Sequence, residues 1–188
     1  WQEHIKNLAP LNEVIFDRLK KQSDEIIFAD STGINLSGNK FLTASILFKN
    51  LIKKEVKEQN VGLLLPSTSA GAFINYSCLM IGKPVVNLNY TSELGSIKES
   101  IALSQIKVII TSKKFIEKLE KKAINVKEIF GLVDVLYVED LKEKISKKHS
   151  LLIFIMVKIF PSSILKLIYL TKMHKDDTCV ILFSSGSE

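Results

Sequence analysis

The stretch Thr178 to Glu188 holds the side chains best suited to chemistry in this sequence. Ser184, Ser185, Gly186 and Ser187 set hydroxyls, backbone N–H groups and one glycine free to take a positive φ at successive positions, and Glu188 follows them. N–H groups turned into one concavity, with hydroxyl donors beside them, hold an anion; the phosphates of a nucleotide fit such a loop better than a neutral ligand does. The pattern is distinct from the P-loop, because no Gly-Lys-Ser/Thr follows the glycine. Small polar residues also build ordinary flexible turns. These residues leave both readings open, whatever the element that presents the loop.

That element is a strand. Cys179 to Phe183 form an apolar, partly β-branched run of the kind buried in a sheet, and the serines sit at its carboxyl end. Upstream, Val61-Gly-Leu-Leu-Leu65 is a continuous apolar run closed by Pro66, which reads as a strand covered on both faces. Ser67, Thr68 and Ser69 are cap candidates for a helix over Ala70 to Ile81, which Gly82 and Pro84 stop. Val85 to Leu88 is the next strand, Asn89 to Ser92 a turn, and Glu93 to Ser104 a helix with Leu94, Ile97, Ile101 and Leu103 turned inward. Val108 to Ile110 and Val133 to Val138 are strands again. Successive strand-helix-strand units imply right-handed crossovers, hence an α/β fold with a mainly parallel sheet and helices on both faces.

Ahead of this core the spacing predicts a helix over residues 11–20, with Leu11, Val14, Ile15 and Leu19 on its inner face. Ile26 to Ala29, the turn Asp30 to Gly33 and Ile34 to Leu36 predict a hairpin. Ser37 caps a helix running from Gly38 to about Glu58, apolar through Phe41, Ile46, Phe48, Leu51 and Ile52, with Lys49, Lys53, Lys54 and Lys57 in water. Asp30 and Asp134, at strand ends, read as turn residues rather than catalysts.

Leu141 to Lys148 predicts a short polar helix, and Leu151 to Leu170 is the most apolar stretch of the chain. It has the length of a membrane span, but Lys158, Lys166 and Pro161 divide it into segments of about nine residues, each short of a bilayer core of about 30 Å. Two helices meeting near Pro161 to Ser163 are expected, with an exposed apolar patch and Lys158 and Lys166 reaching to its edge. Packing as core or lid, contact with a membrane surface and a true span are the three ways to cover so much apolar surface.

The chain has 188 residues, 46% of them apolar and 24% charged, the balance of one folded domain. Its net charge of +6 is carried almost wholly by lysine, with Arg18 the one arginine, which argues against nucleic-acid reading. Cys78 and Cys179 lie apart in apolar runs and read as reduced thiols of a cytoplasmic protein; His4, His149 and His174 form no metal spacing, so no metal site is expected. The chain begins at Trp1 without a signal-peptide pattern, which suggests a segment of a longer protein.

Asp176-Asp177-Thr178 and Val180-Ile-Leu-Phe-Ser-Ser-Gly-Ser-Glu188 resemble the phosphate-loop motif of the adenylate-forming superfamily: acyl-CoA synthetases, luciferases and peptide-synthetase adenylation domains. The superfamily motif continues Gly-x-Pro-Lys-Gly, and this chain stops before it. Val61 to Gly71, Gly82-Lys-Pro-Val-Val-Asn-Leu-Asn-Tyr-Thr91 and Val108 to Lys118 are similar, more narrowly, to the acyl-acyl carrier protein synthetase part of bifunctional 2-acylglycerophosphoethanolamine acyltransferases. Where most relatives carry Ala-Gly-Ala and Val-Pro-Leu-Asn, this chain has Ile81-Gly-Lys-Pro84 and Val86-Asn-Leu-Asn89.

The resemblance implies that residues 1–188 are the truncated N-terminal lobe of an ATP-dependent acyl-activating ligase, with a helical insertion at about 140–170. On this basis Ser184, Ser185, Gly186, Ser187 and Glu188 are an incomplete ATP phosphate loop. The catalytic residues, the magnesium-binding acid and the nucleotide wall lie beyond Glu188, so the segment is expected to be inactive alone. The implied substrate is a long-chain fatty acid, adenylated with ATP and Mg²⁺ and passed to acyl carrier protein for lysophospholipid reacylation. A fatty acyl-CoA synthetase differs only in the thiol acceptor. A non-catalytic domain that docks on the cytoplasmic face of a membrane through residues 151–170 is the competing reading.

Overall fold

The computed structural model describes residues 8–31, 33–122, 124 and 126–183. Helix α1 (Leu11–Lys21) opens the described chain after Pro10 and closes on Arg18, Lys20 and Lys21, cations that suit a helix carboxyl end. Its buried stripe is Asn12, Phe16 and Leu19, while Leu11 and Val14 face outward, opposite to the inner face expected of them. Asn12 turns the helix. Its side-chain amide donates to the Thr171 carbonyl at 3.0 Å and its backbone carbonyl accepts from the Tyr76 hydroxyl at 2.8 Å, so polar contacts to two other elements outweigh the burial of Leu11.

Strands β1 (Ile26–Ala29) and β2 (Asn35–Ser37) form the antiparallel hairpin, with Gly33 at φ 81° in its turn. Ser37 then caps α2 (Gly38–Glu55), its hydroxyl accepting from the Lys40 N–H. The amino end of α2 abuts the carboxyl end of α1: Gly38 and Asn39 donate to the carbonyls of Gln22 and Ser23, so unpaired groups of two helix ends satisfy each other. The helix stops three residues short of Glu58 because Val56 turns extended to bury itself under the sheet, where it is 1% exposed. Lys49, expected in water, is 7% exposed and donates to the Tyr169 carbonyl at 3.0 Å. The covering helices that bury it also supply its partner.

Five strands make the main sheet: β3 (Val61–Leu64), β4 (Val85–Asn87), β5 (Val108–Thr111), β6 (Asp134–Tyr137) and β7 (Val180–Ile181), in the order β6-β5-β3-β4-β7 and all parallel. Helix α3 (Ser69–Met80) joins β3 to β4, α4 (Leu94–Leu103) joins β4 to β5, and α5 (Lys113–Lys121) with α6 (Lys127–Phe130) joins β5 to β6. Between β6 and β7 lie α7 (Val138–Glu143), α8 (Lys147–Ile159) and α9 (Ser162–Tyr169), so the polar helix expected at 141–148 is instead the end of α7 and the start of α8, divided where Ser146 caps α8 through the His149 N–H. Helix α3 ends in a Schellman motif, with Lys83 N–H on the Cys78 carbonyl, Gly82 N–H on that of Leu79, and Gly82 at φ 69°.

Strand residues alternate between two cores. Val61, Leu63, Val85, Val108 and Ile110 pack with Phe48, Ile52, Ile74 and Cys78 of α2 and α3, and α8 and α9 extend that layer. Leu64, Val86, Leu88 and Ile109 pack on the other face with Ile97 and Ile101 of α4 and Phe115 and Leu119 of α5. Connections moving toward β7 put their helices on one face and those moving toward β6 on the other, which is the consequence of right-handed crossovers. Leu103, expected inward, is 67% exposed: it lies two positions past Ile101, about 200° around α4 from the buried stripe.

Candidate functional site

The parallel strands direct all their carboxyl ends to one edge of the sheet, and the turns after β3, β4 and β5 leave from it. β3 passes its chain to α3 on one face and β4 to α4 on the other, and the crevice between such diverging loops is where open parallel sheets take ligands. A cleft of about 290 Å³ opens at this edge beside β4, lined by Asn87, Leu88, Asn89, Ser92, Ser96 and Phe183 among others.

Its walls are held by side-chain amides. Asn87, last residue of β4, exchanges hydrogen bonds with Asn75 of α3 at 3.1 and 3.2 Å, and Asn75 also donates to the Gly71 carbonyl at 3.0 Å. Asn89 accepts from the Thr91 N–H at 3.0 Å and the Thr91 hydroxyl at 2.7 Å, a local turn that shapes the rim. Thr111, at the end of β5, donates its hydroxyl to the Leu64 carbonyl at 2.6 Å. No histidine, cysteine or lysine stands among the described residues of the lining. The cleft can hold a polar ligand in place but brings no acid–base pair to it.

Two helix amino ends at this edge are already filled by carboxylates from elsewhere. Asp30, in the hairpin turn, accepts from the N–H of Ser69 at 2.8 Å and from its hydroxyl at 2.6 Å, and so occupies the start of α3. Glu139 of α7 accepts from the Ser112 hydroxyl at 2.7 Å and the Lys113 N–H at 3.0 Å, and occupies the start of α5. Partial burial works against the ionised form of Glu139, yet the hydrogen bonds from Ser112 and Lys113 outweigh it and hold the carboxyl below its usual range. A phosphate would have to displace a protein carboxylate at either position. Asp30 reads from the sequence as a turn residue and Glu139 carries no local signal, because each cap spans more than 25 residues of chain.

The five residues named for phosphate binding, Ser184, Ser185, Gly186, Ser187 and Glu188, lie outside the described residues. The chain runs to them from Phe183, whose side chain lines the cleft, at the carboxyl end of β7. The described cysteines take no part: burial pushes the Cys78 thiol up to about 12, and Cys179, half-buried just before β7, has its thiol raised by burial and by the nearby Asp177.

A family model described as AMP-binding enzyme matches residues 16–188. Among solved structures, VinN in complex with 3-methylaspartate superposes with a TM-score of 0.65 at 13% identity, covering 95% of this chain and 45% of that one. The amide bond synthetase McbA from Marinactinospora thermotolerans gives 0.63 at 15% identity, over 92% of this chain and 32% of that one. The o-succinylbenzoate CoA synthetase MenE from Bacillus subtilis, in complex with the acyl-adenylate intermediate OSB-AMP, gives 0.55 at 15% identity, over 74% and 34%. At these identities the likeness is one of fold, and the chain spans under half the length of each of these proteins.

Proposed function

This chain belongs to the AMP-binding enzyme family, and from that membership we propose that it is the N-terminal part of a ligase that activates a carboxylic acid as an acyl-adenylate. A carboxylate oxygen of the acid bonds to the α-phosphorus of ATP, the bond to the bridging oxygen breaks, and pyrophosphate leaves with that electron pair. A thiol sulfur then bonds to the acyl carbon and AMP leaves. The observation that carries the reading is the family match, which extends over residues 16–188 and so includes Ser184 to Ser187, in a chain whose described part is a parallel sheet with a polar cleft beside Phe183.

By resemblance to the family's loop, Ser184 to Glu188 hold the β- and γ-phosphates through hydroxyl and N–H donors, while the Mg²⁺ that travels with ATP would supply charge neutralisation. Gly186 lets the backbone approach the phosphates closely. The remaining task of this lobe is placement: Asn75 and Asn87 lock β4 to α3 so that the cleft wall does not move as the polyphosphate is aligned.

By the resemblance of Val61 to Gly71, Gly82 to Thr91 and Val108 to Lys118 to acyl-acyl carrier protein synthetases, the acid is a long-chain fatty acid and the acceptor an acyl carrier protein; coenzyme A is the alternative acceptor. Pyrophosphate–ATP exchange tests the first step. The full-length protein should exchange in the presence of a long-chain fatty acid, and the 188-residue chain alone should not. Exchange supported only by amino acids or aryl acids would overturn the fatty-acid assignment. Product analysis with each thiol in turn identifies the acceptor.

A further inference from the structure

We propose that α8 and α9 form a docking surface for an anionic lipid bilayer, lying in the plane of its headgroups. The two helices are fixed to the lobe by an inner face that holds nearly all their polar contacts. Ile153, Val157, Leu165 and Tyr169 are buried in the core. Lys20 donates to the Val157 carbonyl and Lys49 to that of Tyr169, while Lys166 pairs with Glu13 at 3.0 Å and Asp17 at 2.9 Å, and Ser162 also bonds Asp17. Lys166 therefore points inward, contrary to its expected place at the patch edge.

The outer face is apolar. Leu167 is 87% exposed, Ile159 70% and Leu151 60%, with Ile155, Ile164 and Ile168 beside them. A surface helix of an ordinary lobe has the reverse polarity, apolar inward and charged outward. Here α9 turns its lysine toward carboxylates of α1 and Ile164, Leu167 and Ile168 toward solvent, so the exposure is built into the docking of the pair.

The charge pattern identifies the occupant. Of 26 basic and 20 acidic residues in the chain, residues 144–175 contain seven lysines and no aspartate or glutamate, which leaves 19 basic against 20 acidic in the rest. The net charge of +6 thus comes from this segment. Lys147, Lys148, Lys158 and Lys172 are exposed; Lys148 shares the outer face of α8 with Leu151 and Ile155, and Lys147 and Lys158 lie at its edge. An apolar surface framed by cations, without one neighbouring acid in sequence, complements anionic headgroups over acyl chains, whereas a second copy of the same surface would bring like charges together. No helix among the described residues is long and apolar enough to cross a membrane; α8, with 13 residues, is about 20 Å long, so the pair lies on the bilayer.

Vesicle flotation of the full-length protein is the test, with phosphatidylcholine vesicles against phosphatidylcholine vesicles containing phosphatidylserine. Binding should be at least about tenfold tighter to the anionic vesicles and should weaken with salt. The exposed-site variant Ile159→Ser/Leu167→Ser should lose most of the binding, and Lys148→Glu/Lys158→Glu should lose the preference for phosphatidylserine. Circular dichroism checks that each remains folded, and because the two variants act through different side chains, either one suffices. Absence of binding in the wild type, binding indifferent to phosphatidylserine, or retention by both folded variants would overturn the proposal. So would a concentration-dependent dimer that Leu167→Ser dissociates. Adenylation is read separately by pyrophosphate exchange, so failure of this surface leaves the ligase assignment standing.

Discussion

Asp30, in the hairpin turn, caps Ser69, the first residue of α3, with one carboxylate oxygen accepting from both the backbone N–H and the hydroxyl. The helix has no side-chain cap of its own, since Thr68 at the N-cap position makes no such bond. The hairpin is thereby tied to the element that follows β3, the strand at the centre of the sheet. Removing the carboxylate leaves the Ser69 donors unpaired in a site where Ser69 is 0% exposed. Asp30→Ala should cost about 1–2 kcal/mol in urea denaturation, and Asp30→Asn, which keeps an acceptor oxygen, about half as much. Equal stability of wild type and Asp30→Ala would remove the cap from the account.

Gly38 is required by contact. A Cβ built there would come within 2.5 Å of the Gln22 carbonyl oxygen and closer still to that of Leu19, both backbone atoms that cannot swing aside. Gly38→Ala should lower stability by about 2 kcal/mol or more, because α1 and α2 must part. Gly95→Ala is the counterpart: nothing lies within 4 Å of its Cβ position, so the gain in helix propensity should stabilise by about 0.5 kcal/mol. Thermal unfolding of the two variants side by side decides the matter.

Lys49 makes stability depend on pH. Burial holds its ammonium down from 10.5 to about 8, with the nearby Lys53 adding to the effect. Between those values the unfolded chain retains a proton that the folded chain has released, so folding becomes more favourable as pH rises through the window; below about 8 the penalty is constant. Across it the stability of the wild type relative to Lys49→Met should rise by about 3 kcal/mol. Cys78, whose thiol burial raises to about 12, destabilises both proteins alike at high pH and cancels in the difference. A flat difference from pH 7 to 10 would show that Lys49 is not charged and buried as described.

Gly186→Val in the full-length protein should reduce adenylation by two orders of magnitude or more (~100-fold) while leaving circular dichroism unchanged. A valine side chain would stand where phosphate oxygens approach, and its branched Cβ resists a positive φ. Turnover of a folded variant near the wild-type rate would reduce the loop to a plain turn.

The parallel sheet was legible because burial on both faces leaves its mark in single strands: Val61 to Leu64 and Val108 to Ile110 are buried at every position, and their sequences run without a polar residue. Ser37 and Gly82 were legible as cap and stop because these signals act within a turn or two of chain. The break at Pro161 between two helices was legible too, since proline cannot continue a helix interior.

What the sequence determined by itself, then, is each element whose cause is local: the central strands, caps, stops and the excess of apolar residues over 151–170; Cys179 to Phe183, expected as a buried strand, pairs only at Val180–Ile181 on the sheet edge, with Leu182 73% exposed. Tertiary structure alone decided the rest. Asn12 faces inward because Thr171, 159 positions along the chain, offers its carbonyl, and Lys49 is buried because Tyr169, 120 positions away, offers another. Lys166 turns from solvent to Glu13 and Asp17, and Asp30 becomes a cap only once α3 is beside it. A polar side chain goes where a partner satisfies it, and that partner is fixed by the packing of distant elements, which no window of sequence contains.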